Sequence, residues 1–126
     1  MASEPTTEYE EVEITPRYWT VNGGPNREGR PVRFRGHLLG EYSTYYHDAN
    51  SWDEYTAWKT QAGRFVVKCT HRNLWAGSRN SVVIKDYPHI AAMRLDRDGE
   101  STTPLSDAVM VMVERALGID PAIVIK

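Results

Sequence analysis

Apolar and polar positions alternate with a period of two through most of the chain and change to a helical period only near its end. In YEEVEI, Tyr9, Val12 and Ile14 are separated by glutamates, which suits a strand with one face in water. PVRFRGHLL sets Val32, Phe34, Gly36 and Leu38 against Arg33, Arg35, His37 and Leu39, a second strand with its basic side chains opposite its apolar ones. DEYTAWKT gives a third strand. Gln61, Ala62 and Gly63 turn the chain into RFVVKCTHR, a fourth strand in which Phe65, Val67 and Cys69 alternate with Arg64, Val66, Lys68 and Thr70. SVVIKDY, rich in β-branched residues, reads as a fifth. From Leu105 the period changes: Leu105, Ala108, Val109, Met112, Val113, Ala116 and Leu117 fall at i, i+3, i+4, i+7, i+8, i+11 and i+12, the stripe of an amphipathic helix. Thr103 offers its N-cap, Pro104 its first position and Gly118 its stop.

Between these elements, NGGPNREGRP, NLWAGSRN and DRDGES are dense in turn formers and read as loops. HIAAMRL, residues 89–95, fits a helical turn as well as another strand, and AIVI reads as a last short strand or a packed tail. MASEPTTE is polar and proline-interrupted, so residues 1–8 are expected to be a disordered acidic tail before a single α+β domain over 9–126. The fold class is α+β: an antiparallel β-sheet meander packed against one C-terminal amphipathic helix. On that helix Met110 and Val111 lie on the side away from the main stripe, and exposure there, with the thinly protected edge SVVIK, predicts self-association into a homodimer.

At 126 residues the chain has the length of one domain. Its lone cysteine, Cys69, excludes an intramolecular disulfide and a thiolate metal cluster and points to a reducing, cytoplasmic setting. No apolar run approaches the roughly 18 residues of a membrane span, so no membrane partner is expected. The net charge of −2 hides a gradient: five glutamates and no base in residues 1–13, against twelve Lys or Arg and seven Asp or Glu from Arg27 to Arg97. A surplus so mild falls short of a dedicated nucleic-acid binder.

Catalytic and metal chemistry find no anchor. His37, His47 with Asp48, and His71 supply no pair of metal ligands at a ligating spacing on one element, so neither a metal nor a cofactor is expected. Ser43, Ser51 and Ser78 lack a nucleophile-elbow context, and GRPVRFRG is no phosphate loop. Cys69 sits among apolar neighbours, where a thiol is usually inert.

The stretch GEYSTYYHDANSWDEYTAWK, by contrast, concentrates four tyrosines and two tryptophans in twenty positions. Tyr45, Tyr46, Trp52 and Trp58, together with Arg33, Arg35, Lys68 and Arg72, form the candidate binding set, because aromatics beside cations suit either a protein interface or stacking on a nucleotide. The simpler alternative is that the arginines are only the solvated side of a one-sided sheet and that Tyr55 and Trp58 pack under the helix.

The succession YEEVEI, a glycine-rich loop, VRFRGHLLGE and then WKTQAGRFVV resembles the actinobacterial EXLDI proteins in the portion after their N-terminal arm. Those pair a FxGxLLGE-like strand with a TxKGxFV-like one. Phe34, Gly36, Leu38, Leu39, Gly40 and Glu41 match the first, and Thr60, Gly63, Phe65 and Val66 the second. The likeness covers roughly half of the chain, which ends AIVIK where family members carry Leu-Asp-Ile and has no ribbon-helix-helix-like arm. The resemblance implies the effector half of an actinobacterial or actinophage regulator without its DNA reader. The reading is thus a small non-enzymatic binding or regulatory module with a protein partner, in concrete form a phage-type inhibitor of a host or defence protein. The alternative is a module that binds single-stranded nucleic acid or a nucleotide through a basic-aromatic sheet face.

Overall fold

Each alternating segment forms a strand. In the computed structural model, which describes residues 8–18, 27–74, 80–98, 106–123 and 125, these are β1 (Glu10–Ile14), β4 (Val32–Ser43), β5 (Ser51–Thr60), β6 (Phe65–Asn73) and β7 (Ser81–Tyr87). Two pairs of residues that carry no pattern of their own add β2 (Arg17–Tyr18) and β3 (Arg27–Glu28). All neighbours are antiparallel, in the order β1-β4-β5-β6-β7-β2-β3. Gly63, at φ +85°, makes the tight β5–β6 turn, a conformation open to glycine and strained for other residues. The expected acidic tail, apart from Glu8, lies outside the described residues, as do residues 22–26 of the first loop, Trp75 and residues 99–101 of the DRDGES turn, whereas residues 96–98 of that expected turn belong to the last turn of a helix.

The order hides a closure. Ile14 pairs with Val32 beside β4, and three residues later Arg17 pairs with Val82 beside β7. Three residues span at most about 11 Å, so strands at opposite ends of the sheet are drawn together and the sheet curls. Its concave side carries a cluster of Ile14, Trp58 and Val66 with Val12, Phe34, Val82 and Ile84, residues drawn from β1, β4, β5, β6 and β7.

The other side of the sheet takes the helices. α1 (Ile90–Asp98) resolves the ambiguity of residues 89–95 in favour of helix, and α2 (Asp107–Ala116) is the anticipated C-terminal helix. Their shared cluster with the sheet comprises Ala57, Phe65, Val67, Tyr87, Met93, Val109, Met110 and Val113. The sheet is therefore covered by two helices rather than one. α2 starts one turn later than its stripe suggested: the Ser106 side chain caps it by accepting the Ala108 N–H, and the proposed caps Thr103 and Pro104 lie outside the described residues. Gly118, at φ +75°, ends it as anticipated.

Two expectations are corrected here. Met110 is 1% exposed, not a surface residue, because α1 packs on α2 and covers a second side of it, with Met93 joining Met110 in one core. The basis for a dimer through Met110 is thereby removed. Among the described residues no last strand forms either: residues 119–123 are irregular, and Ile123 and Ile125 are almost fully exposed.

Candidate functional site

Register decides which side chains share a face. Along β5 and β6, Trp52 lies opposite Arg72, Glu54 opposite Thr70, Thr56 opposite Lys68, and Trp58 opposite Val66, so Trp52, Trp58, Lys68 and Arg72 all belong to the concave side. On β4 that side carries Phe34, Gly36 and Leu38, while Arg33, Arg35 and His37 project from the other, next to Glu11, Glu13 and Tyr9. A register shift between Leu38 and Gly40 then exchanges the sides. Leu39 keeps the side of Arg35 and His37 and packs on the helix-side core, the shift brings Gly40 and Tyr42 to that side as well, and Leu38 on the concave side is left 49% exposed.

The eight candidate residues therefore do not form one basic-aromatic surface. Arg33 and Arg35 stand on the opposite side of the sheet from Lys68 and Arg72, because an odd and an even position of two strands in this register cannot share a face. Trp58 is only 9% exposed and packs edge-on against Phe34, with ring centroids 5.5 Å apart, so it is part of the concave core rather than a stacking platform. Two of the cations are occupied: Arg33 Nε lies 3.0 Å from Glu13 Oε2, and Arg72 Nε lies 2.7 Å from Glu54 Oε1. Glu54 also accepts the Trp52 indole N–H at 3.0 Å. Burial opposes its ionisation, but those two bonds hold its carboxyl below the usual value.

What the structure does bring together is the β4–β5 hairpin tip, residues 44–50. Its backbone is closed by several bonds: Thr44 N–H to the Asp53 carbonyl, Asp53 N–H to Thr44 Oγ1, Ala49 N–H to the Tyr46 carbonyl, and Tyr45 N–H to Ser43 Oγ. Leu74 N–H donates to the Asn50 carbonyl and ties the tip to the end of β6. Asp48 takes φ 66°, a left-handed turn conformation that Asp tolerates, and Ala49 is buried beneath it. On this closed frame Tyr45 and Tyr46 are 56% and 67% exposed. The Tyr45 ring rests edge-on against Trp52 at 4.8 Å, and exposed Leu74 lies beside the tip. His47 and Asp48, 3.4 Å apart, are both solvent-exposed.

A second polar group sits on the helix side of β5 and β6. His71 Nδ1 donates to Asp53 Oδ1 at 2.8 Å, and on the next row Tyr55 is opposite Cys69. Sequence reasoning treated His71 and Cys69 separately; the i, i+2 spacing was the available sign that they share a face. Burial, reinforced by the Asp53 charge, pushes the Cys69 thiol up despite the bond it accepts from the Tyr55 hydroxyl. That is the reverse of what an activated nucleophile requires. Among the described residues no group of three or more His, Cys, Asp or Glu is placed to hold a metal ion, and no helix is long and apolar enough to cross a membrane. Comparison with family models, with curated proteins and with solved structures finds no match for the chain.

Proposed function

We infer that this chain is a non-enzymatic binding module that acts on another protein through the tip of its β4–β5 hairpin. One observation carries the reading: Tyr45 and Tyr46 are presented to solvent on a backbone already closed by its own hydrogen bonds, with Tyr45 braced on Trp52. Tyrosines held this way lose little freedom on binding and bring large amphipathic contact area, which is how aromatic anchors work at protein interfaces. The EXLDI-like motifs give the reading its biological form, interference with an actinobacterial host or defence protein, and the lone thiol fits a reducing, cytoplasmic setting. The nucleic-acid alternative draws less support, since its cations are divided between two sides of the sheet and two of them are held by glutamates.

The test is co-purification from an actinobacterial lysate with the tagged wild-type chain and with a Tyr45→Ser/Tyr46→Ser variant of unchanged circular dichroism. A partner recovered by the wild type and reduced at least about tenfold by the variant is the expected result. Recovery of nothing above background, or equal recovery by both chains, would overturn the assignment.

A further inference from the structure

Where β4 runs past the end of β5, one of its edges is left open. The β4–β5 ladder closes with Gln61 N–H donating to the Arg35 carbonyl at 3.0 Å, and β5 itself ends at Thr60. Alternate residues of a strand turn their polar groups to opposite edges, so the N–H and C=O of Arg33, two residues before Arg35, point to this same edge. Among the described residues no strand pairs with residues 32–35 there, and β1 holds only the other edge. Beside the open edge lies a cleft of about 450 Å³ that reaches to the end of β7. Its apolar walls, Val32, Phe34, Val66 and Ile84, continue the concave core. On the opposite side of the sheet the same stretch of β4 presents Arg33 and Arg35, both exposed. Arg33 is paired with Glu13, whereas Arg35, among the described residues, donates only to the Tyr9 carbonyl oxygen, a neutral acceptor.

A polar edge with an apolar cleft on one side and a cation on the other matches one kind of occupant. An added strand sends successive side chains to opposite sides of the sheet, so apolar residues enter the cleft while the acidic residues between them face Arg35. We propose that the first half of β4 takes up, by antiparallel strand addition, an extended segment of a partner protein in which apolar and acidic residues alternate. β1 is the internal precedent: EEVEI lies on the other edge of the same residues, with Glu13 on Arg33 and Val12 opposite Phe34. The added strand repeats that pattern on the free edge. The site lies at the far end of the sheet from the hairpin tip, so either assignment can fail without the other.

The peptide YEEVEI, the sequence of residues 9–14, is the probe, titrated calorimetrically into the full chain. Saturable 1:1 binding is expected, at least about tenfold weaker for the charge-reversed YKKVKI and for YEESES, which has no valine or isoleucine to place in the cleft. Arg35→Gln should weaken YEEVEI about tenfold, and Tyr45→Ser/Tyr46→Ser should leave it unchanged. Backbone methylation locates the edge. In antiparallel pairing with Arg33 and Arg35 the glutamates flanking the valine supply the N–H groups, so methylating those two nitrogens should abolish binding, whereas methylating the valine and isoleucine nitrogens should not. The reverse pattern would mean that the peptide displaces β1, whose Val12 and Ile14 turn their polar groups to β4, and it overturns the proposal. So do an absence of saturable YEEVEI binding, equal affinity for YKKVKI, and undiminished affinity in Arg35→Gln. Arg35 lies on the surface, so its replacement leaves both cores intact.

Discussion

Tyr87 shows how one side chain couples packing to solution conditions. It lies in the helix-side core at the end of β7, and its hydroxyl donates to Asp96 of α1. Burial first, and then the bond to Asp96 and its charge, push the Tyr87 phenol far above its ordinary range; burial does the same for Tyr55. A phenol freed by unfolding titrates near about pH 10, whereas these two keep their protons in the folded chain. The unfolded state therefore releases protons that the folded state retains, so stability is fully present below about pH 10 and falls above it. Urea midpoints measured at about pH 8 and about pH 10.5 should show this loss in the wild type. Tyr87→Phe gives up about 1 kcal/mol at the lower pH with the hydroxyl's bond, but it should lose less than the wild type between the two. An equal alkaline loss in both would mean that Tyr87 ionises in place.

The same aspartate fixes an element. α1 has nine residues, too few to be stable alone, so its helicity depends on what it touches. Met93 is fully buried, Arg94 reaches Glu114 of α2 at 3.5 Å, and Asp96 lies 2.9 Å from Lys85 on β7, with both of the latter side chains mostly shielded from water. Asp96→Asn keeps the shape and removes the charge beside Lys85, and should cost about 2 kcal/mol while speeding amide exchange across α1. Asp86→Asn, which breaks an exposed pair with Arg64, should cost less than about 1 kcal/mol. If the two substitutions cost the same, the Asp96 network is not what holds α1. The five longer strands and α2 were legible because each repeats its period over several turns or pleats. α1 was not, since one buried methionine and a part-buried isoleucine in nine residues satisfy either period. β2 and β3, two residues each, have no period to read.

At the scale of the molecule, what the sequence could not supply was face and closure. Alternation told that Arg33 opposes Phe34, but only the register across β5 and β6 puts Lys68 and Arg72 on the Phe34 side, and only the jump from Ile14 beside Val32 to Arg17 beside Val82 makes that side concave. The aromatic tip was visible as composition; its closed backbone was not, because Thr44 and Leu74 owe their bonds to the strand pairing and Ala49 bonds the Tyr46 carbonyl only in the turn that pairing closes. The same geometry makes the fold a single cooperative unit. β5 and β6 supply both clusters from adjacent residues, Ala57 and Val67 to the helix side and Trp58 and Val66 to the concave side, so neither core can open while the other stays packed. Met110→Ala empties part of the first and Ile14→Ala part of the second, each at about 2–5 kcal/mol. Both should lower the urea midpoint with the slope unchanged, and far-UV circular dichroism, which follows α1 and α2, should coincide in each variant with the tryptophan emission to which buried Trp58 contributes. A variant in which the two signals separate, with one cluster melting ahead of the other, would show that the curled sheet and its helical cover are distinct folding units.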